Sequence, residues 1–436
     1  MIDTAYINLW NKRVGAVAWP KDTQIGSFQF EPSFLKYGWD IAPIKMAIAS
    51  AERSIFSFPD LSDTKTFKGL PGLLADVLPD KYGNSLINAW LAQNGRPENS
   101  LNPIEMLCFI GERGMGALEF EPVEPKVVSR STKVEIDNLV YIAQEILSGR
   151  KDFHTNLTDN EKKNFFEILK VGTSAGGARA KALIAYNPIT REVRSGQAEA
   201  PKGFAHWLIK FDGVVDDQLS IGSGPLGTTK GYGRVEMAYH RMAVDCGIEM
   251  TECRLLEENG RAHFMTQRFD RIHGQGKMHV QSFCAMQHYD FTQVNSYSYE
   301  QLFQTMRMLR LPYSEAAQLY TRMVFNVMAR NCDDHTKNFA FVMNKTGEWK
   351  LSPAYDLCHA YRPDSPWVSH QSLSVNGKRD NITETDLLEV ARQMNVKKAG
   401  LIVENVHKIV SQWMIYAEKQ RVTNALAKAI KSTLLI

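Results

Sequence analysis

The sequence predicts an α+β protein, strand-rich in its first part and helical in its last third. Near the N-terminus, short alternations of apolar and polar residues are separated by turn residues. From about residue 280 onward the apolar positions recur at helical spacing instead, as in the stripe Tyr320, Met323, Val324, Val327 and Met328. At 436 residues the chain is too long for one typical domain, so two or three modules sharing a substantial core are expected.

Taken in order, residues 5–19 alternate around "NKR" as a small hairpin does, and "GSFQFEPSFL" continues the β-rich stretch. A helix is expected over residues 68–95, "KGLPGLLADVLPDKYGNSLINAWLA", followed by a helix end, a turn and a strand in "MLCFIGERGMGALEFEP". A first module is thereby expected to end near residue 122. Residues 133–147 read as another helix, "KALIAYNP" and "FAHWLIKFDG" as strands, and 220–233 as a long Gly/Ser/Thr loop. The helix "RVEMAYHRMAVDCGI" and strands around "ECRLLEENGRAHFMTQRFDR" complete a lobe built on an antiparallel sheet.

Composition narrows the function. Apolar residues make up 44% of the chain and charged residues 23%, which is the balance of a folded globular protein. A formal net charge of +3 predicts no broad basic face for gripping nucleic acid, so contact with DNA is expected to be indirect. No apolar run reaches the ~18 residues that suggest a membrane span. The six cysteines form no CxxC pair, which suits a reducing cytoplasm and predicts no structural zinc.

The chemistry concentrates in residues 330–341, "RNCDDHTKNFAF". Asp333 and Asn338 are separated by five positions, and a short strand, the turn "NKTGEW" and a second strand lead on to Asp356. Protein-kinase catalytic loops order their groups in the same way: a base Asp, an Asn five residues later, a hairpin, then a metal-binding Asp. Phosphoryl transfer needs those types, because one carboxylate takes the proton of the attacking hydroxyl while a carboxylate and an amide oxygen hold hard Mg²⁺ ions. Asp334 is the rival to Asp333, and spacing alone favours Asp333. Taken singly, such a cluster reads as a polar helix end capped by its own side chains, and the ordered combination is what argues against that.

Upstream, Gly172, Gly176 and Gly177 in "VGTSAGGARAKALI" precede a strand, where backbone N–H groups can approach phosphate oxygens, although most glycine clusters are turns. Lys210 lies on an otherwise apolar strand, where a charge is costly unless it meets an anion, and Glu236 on the next helix is its candidate partner. A lysine at a strand end reaching solvent is the plainer alternative. In "MTQRFDR", where the sheet passes into the helical lobe, Gln267 and Phe269 are candidates for a nucleotide-contacting hinge, against the alternative of an edge strand carrying an Arg–Asp surface pair. His335 and Lys337 accompany the loop without an assigned step. No HExxH or comparable ligand spacing suggests zinc catalysis.

The strings "TSAGGARAKALI", "IKFD", "RFDR", "NCDDHTKNFAF" and "LSPAYDL", in this order, resemble the HipA family of bacterial serine/threonine kinases, toxins of type II toxin–antitoxin systems. "LPGLLADVLPDKYGN" and "IGERGMGALEFEP" are similar to that family's first subdomain, so the resemblance covers nearly the whole chain. It implies a two-lobed protein-kinase-like fold divided into an N-terminal subdomain over 1–122, a β-rich kinase N-lobe over 123–272 and a helical C-lobe over 273–436. It implies a cytoplasmic enzyme using ATP and Mg²⁺ to phosphorylate a protein such as an aminoacyl-tRNA synthetase. The expected partner is a helix-turn-helix (HipB-like) antitoxin that carries the DNA-binding surface, with no membrane involved.

Carried over position by position, Asp333 matches the catalytic aspartate, Asn338 and Asp356 the metal ligands, and Lys210 the phosphate-binding lysine. The ATP contacts implied are Ser174, Ala175, Gly176, Gly177, Ala178, Lys181, Gln267, Phe269 and Asp270, with Glu236, His335 and Lys337 in support. Ser174 matches a serine that family members autophosphorylate, which expels the glycine-rich loop by charge repulsion, and Thr173 is its adjacent competitor. The loop 220–233 is richer in glycine than the family pattern, and Gln281 fits the ribose-contacting position only if the alignment shifts. Two other functions compete: a catalytically silent, antitoxin-bound co-repressor, and a small-molecule phosphotransferase on the same fold.

Overall fold

The computed structural model describes residues 2–122, 133–147, 165, 167–169, 172, 179–196, 200–214, 230–272 and 276–436. The chain begins with the hairpin Thr4–Leu9 and Lys12–Ala18. Its turn is made by Trp10 and Asn11, both at positive φ (50° and 61°), the backbone that matches the twist of the flanking strands. Ser27–Phe30 and Leu118–Glu121 complete a four-stranded sheet in the order Ser27–Phe30, Lys12–Ala18, Thr4–Leu9, Leu118–Glu121.

The single helix expected over 68–95 is two helices, Gly72–Ala75 and Lys81–Gln93. Pro79 lacks the N–H that a continuing helix requires, and Asp80 restarts the chain as an N-cap by accepting the Gly83 N–H at 2.7 Å. The helix Pro103–Ile110 opens on a capping box between Asn102 and Glu105.

A second, five-stranded antiparallel sheet runs in the order Val193–Ser195, Lys181–Tyr186, Ala205–Lys210, Arg261–Gln267, Cys253–Glu258. Helix Tyr232–Asp245 packs on it. Gly233 permits that contact, since a Cβ there would lie 2.0 Å from the Ala262 carbonyl oxygen. Much of the expected loop 220–233 lies outside the described residues, and the chain is already helical from Tyr232.

The last part contains the helices Tyr299–Met308, Tyr313–Met328, Glu384–Met394, Ala399–Val410, Trp413–Lys419 and Asn424–Lys431. Tyr320, Met323, Val324, Val327 and Met328 are buried in its core. A three-stranded sheet interrupts the helices, with Ala340–Met343 between His279–Ser282 and Trp349–Leu351. The strand His279–Ser282 falls where helical spacing was expected to take over, because its partner is about sixty residues downstream and leaves no local pattern.

Two large apolar clusters result. One is continuous from the N-terminal sheet to Trp207, Ile209 and Met265 of the five-stranded sheet, and the other fills the helical lobe. The N-terminal subdomain also reaches the helical lobe. The Gly72 N–H donates to His288 Nε2 at 3.0 Å, Asp76 accepts from the Ser282 N–H and hydroxyl at 2.6 Å each, and Trp349 Nε1 donates to the Asp40 carbonyl at 3.1 Å. Among the described residues no helix is long and apolar enough to cross a membrane.

Candidate active site between the two lobes

Lys210 closes the strand Ala205–Lys210, on the face opposite to the buried Trp207 and Ile209. The close approach at Gly233 sets Glu236, one turn further along its helix, against this lysine. Lys210 Nζ lies 2.5 Å from Glu236 Oε1, and it also contacts Asp356 Oδ1 from the other lobe. Burial by itself would lower the Lys210 pKa, but Asp356 and Glu236 outweigh it and hold the lysine above its ordinary range. The Asp356 carboxyl is likewise held below its usual range, Lys210 outweighing the effect of burial, with Lys181 and Arg179 adding to it. Glu236 is pushed up, first by burial and also by the Asp356 charge, in spite of Lys210.

The loop from the helical lobe is built with equal economy of backbone. Helix Tyr313–Met328 ends at Ala329, and Arg330 turns the chain at φ 53°. The Cys332 N–H then donates to the Ala360 carbonyl at 3.1 Å and the Ala360 N–H to the Arg330 carbonyl at 3.0 Å, tying the loop to the segment just after Asp356. Asn338 Nδ2 donates to the Asp333 carbonyl at 2.7 Å, closing the five-residue interval on itself. The hairpin Ala340–Met343 and Trp349–Leu351 delivers Asp356, which stands in the left-handed region at φ 57°.

Geometry separates the two neighbouring aspartates. Asp334 is 1% exposed and its carboxylate accepts from Tyr299 Oη at 2.7 Å, Gln371 Nε2 at 2.9 Å and the Ser372 N–H at 2.7 Å. It holds the loop together, and burial raises its pKa to about 6. Asp333 instead keeps a side chain 45% exposed in the cleft, with His335 Nε2 3.7 Å from Oδ1. Its pKa is raised by desolvation and by the nearby Asp356 charge, against lowering contributions from His335, Arg179 and Lys210. Asp333, Asp356, Lys210 and Glu236 therefore face one another across the cleft, with Asn338 bracing the loop.

Lys181 stands directly opposite Lys210 in the sheet register and pairs with Asp80 of the N-terminal subdomain at 3.0 Å. Arg179 was not picked out from the sequence. Its guanidinium lies over the Tyr232 ring, 4.9 Å from the centroid, and lines a small cavity with Lys210, Tyr232 and Glu236. Its position two residues before Lys181 was the available signal.

The other expected residues make contacts of their own. Asp270 is fully buried and holds Arg268 at 2.6 Å, Arg271 at 2.7 Å and the Gly116 N–H at 2.7 Å, so its carboxylate clamps the N-terminal subdomain to the lobe crossing. Gln267 pairs through its backbone with the Glu252 carbonyl at 2.9 Å. Phe269 meets the ring of Tyr355, with 5.8 Å between centroids, and Tyr355 donates its hydroxyl to the Lys337 carbonyl at 2.7 Å. Lys337 and His335 both lie against Phe291, at 5.0 Å and 5.1 Å from its ring centroid. Gln281 is buried on a strand opposite Phe341. Thr173, Ser174, Ala175, Gly176, Gly177 and Ala178 lie outside the described residues.

Sequence comparison places these elements in a family. Residues 5–121 match the HipA N-terminal domain, and residues 173–413 match the HipA-like C-terminal domain. The chain belongs to the HipA family. A HipA chain from a complex of Shewanella oneidensis MR-1 HipA, HipB and operator DNA matches this HipA-family chain over 99% of its length and 92% of its own. The TM-score is 0.64 at 15% identity, a likeness of fold, and the fold is the two-lobed kinase-like one. The Helicobacter pylori proinflammatory kinase CtkA covers 53% of the chain and 92% of its own length at 13% identity and a TM-score of 0.30, too low to argue from. By sequence, the Sinorhizobium fredii protein Y4mE, provisionally named a kinase, is 25% identical over 157 residues. That match spans 34% of this chain and 36% of Y4mE.

Proposed function

We propose that this HipA-family chain is an ATP-dependent serine/threonine protein kinase acting as the toxin of a type II toxin–antitoxin system. The observation that carries the reading is Lys210, whose ammonium joins Glu236 of its own lobe to Asp356 of the other. A protein kinase needs that lysine on the α- and β-phosphates and that aspartate on the metal.

The donor set suits Mg²⁺, a hard ion that keeps most of its ligands from water and phosphate and needs only one or two protein carboxylates. Asp356 and the amide oxygen of Asn338 would hold it, Asn338 Nδ2 being already engaged by the Asp333 carbonyl. When bound, the metal neutralises charge on the phosphate oxygens. Lys210 orients the phosphates, and Asp333, exposed to the cleft, accepts the proton as the substrate hydroxyl oxygen forms its bond to the γ-phosphorus and ADP leaves. Arg179 adds a second cation on the sheet side. Ser174 is assigned as the site of self-inactivation in the glycine-rich loop. The protein target is a translation component such as an aminoacyl-tRNA synthetase, and the partner is a HipB-like helix-turn-helix antitoxin that makes the DNA contact.

Labelled ATP tests the assignment. Asp333→Ala is expected to lower phosphate transfer to protein by about 10²–10⁴-fold, the range for a lost general base, and to relieve growth arrest on expression. Transfer at the parental rate by the purified, folded variant overturns it. Recovery of the label on a metabolite instead of polypeptide replaces the protein substrate with a small one.

A further inference from the structure

The N-terminal subdomain supplies Lys181 with a partner that the kinase reading leaves without a role. Asp80 caps helix Lys81–Gln93, and its two carboxylate oxygens are used separately: Oδ1 accepts the Gly83 N–H at 2.7 Å, and Oδ2 lies 3.0 Å from Lys181 Nζ. Lys181 sits opposite Lys210 in an antiparallel pair, so both side chains leave the sheet on the same face. The same helix meets the chain on the other side of the glycine-rich segment, where a Cβ on Gly172 would lie 2.6 Å from Leu86 Cδ1 and 3.3 Å from the Tyr82 ring. One helix thus holds both Gly172 and Lys181. The N-terminal subdomain that carries this helix is fixed to both lobes, through Asp76 on Ser282 and through Gly116 on Asp270.

We propose that Asp80 is a positioning residue of the phosphate site, keeping the Lys181 ammonium charged and aimed at the nucleotide phosphates, so that the N-terminal subdomain is a working part of the nucleotide site. This rests on the kinase reading above. Lys181 is 2% exposed, and an ammonium so buried holds its proton only beside an anion. The groups facing it are Asp80 and Asp356, which favour the charged form, and Lys210, which opposes it, while Lys337 acts on Asp80 in turn. Burial is the largest influence and lowers the Lys181 pKa, so removing the Asp80 charge lowers it further.

The test uses the full-length chain and separates the charge of Asp80 from its cap. Asp80→Asn keeps the cap, since asparagine caps helices as well as aspartate does, but removes the anion. Asp80→Asn is expected to weaken Mg·ATP binding, measured by calorimetry, by about tenfold, the effect of one charge-assisted contact. The KM for ATP should rise in step while kcat changes little. The weakening should deepen as pH rises from neutral toward the ordinary lysine value of ~10.4, since burial lowers the pH at which Lys181 loses its proton, and adding Lys181→Arg, which stays charged, should remove that pH dependence. Parental affinity in Asp80→Asn across this range, with an unchanged melting temperature, overturns the proposal and reduces Asp80 to a helix cap. Failure of the parent chain itself to bind Mg·ATP overturns the kinase reading and this proposal together.

Discussion

Asp270 and Asp356 both stand among cations, and both carboxyls are held below the ordinary aspartate range. In each, desolvation alone would raise the pKa, and neighbouring positive charge outweighs it. Their surroundings differ in kind. Asp270 has a side chain 0% exposed, and two arginines and a backbone N–H take up its oxygens. Asp356 keeps a side chain 34% exposed and leans on Lys210, which Glu236 also holds. It does so from a left-handed backbone at φ 57°, a conformation that costs a non-glycine residue stability. A depressed carboxyl therefore marks strong electrostatics without marking chemistry. What distinguishes the candidate ligand is an open side and a partner from the opposite lobe.

Substitutions at these aspartates separate a structural carboxylate from one that serves the reaction. Asp270→Ala leaves Arg268 and Arg271 buried without their anion and should destabilise the fold by about 3–5 kcal/mol, read as a large drop in the denaturant midpoint. Asp356→Ala should instead leave the midpoint close to the parent, since Glu236 still pairs Lys210. Its effect belongs to the reaction, with phosphate transfer lower by about 10²–10³-fold, the scale of one lost electrostatic group. If Asp356→Ala unfolds the chain and Asp270→Ala does not, the two roles have been exchanged.

Asp334→Asn should cost stability by about 1–3 kcal/mol, because donors from Tyr299, Gln371 and Ser372 lose part of a buried acceptor. Its neighbour Asp333, open to the cleft, should tolerate Asn with little change in melting temperature. The smallest effect is in the acid limb of the stability curve. An unfolded aspartate titrates near ~3.9, and Asp270 in the fold titrates lower. Its contribution is therefore fully present above the unfolded value and is lost as pH falls through the folded one. Asp270→Asn should flatten the decline in stability below about pH 4.

Local order made the kinase-like loop legible. Asp333, Asn338 and Asp356 are joined by a short turn and one hairpin, so their spacing in sequence is nearly their geometry. Lys210 was legible because a lysine ending an apolar strand requires an anion, and Glu236 lay on the next helix. The roles of Asp270 and Asp334 were not legible. "RFDR" suggested a nucleotide hinge, but Asp270's carboxylate is taken up by Arg268, Arg271 and the Gly116 N–H, the last 154 residues away. The partners of Asp334 lie 35 to 38 residues from it. Pro79 did carry the signal that splits the helix at 68–95, and with it the capping role of Asp80.

By itself the sequence determined the α+β class, the helical last third and the order of the loop residues, since each follows from periodicity or from a spacing of a few residues. Tertiary structure decided which aspartate faces the cleft, which one clamps the subdomain, and that Asp80 meets Lys181 across a hundred residues of chain. The physical reason is that ion pairs and buried hydrogen bonds are fixed by where folded elements meet. The free energy of a carboxylate depends on partners and exposure that no local stretch of sequence encodes.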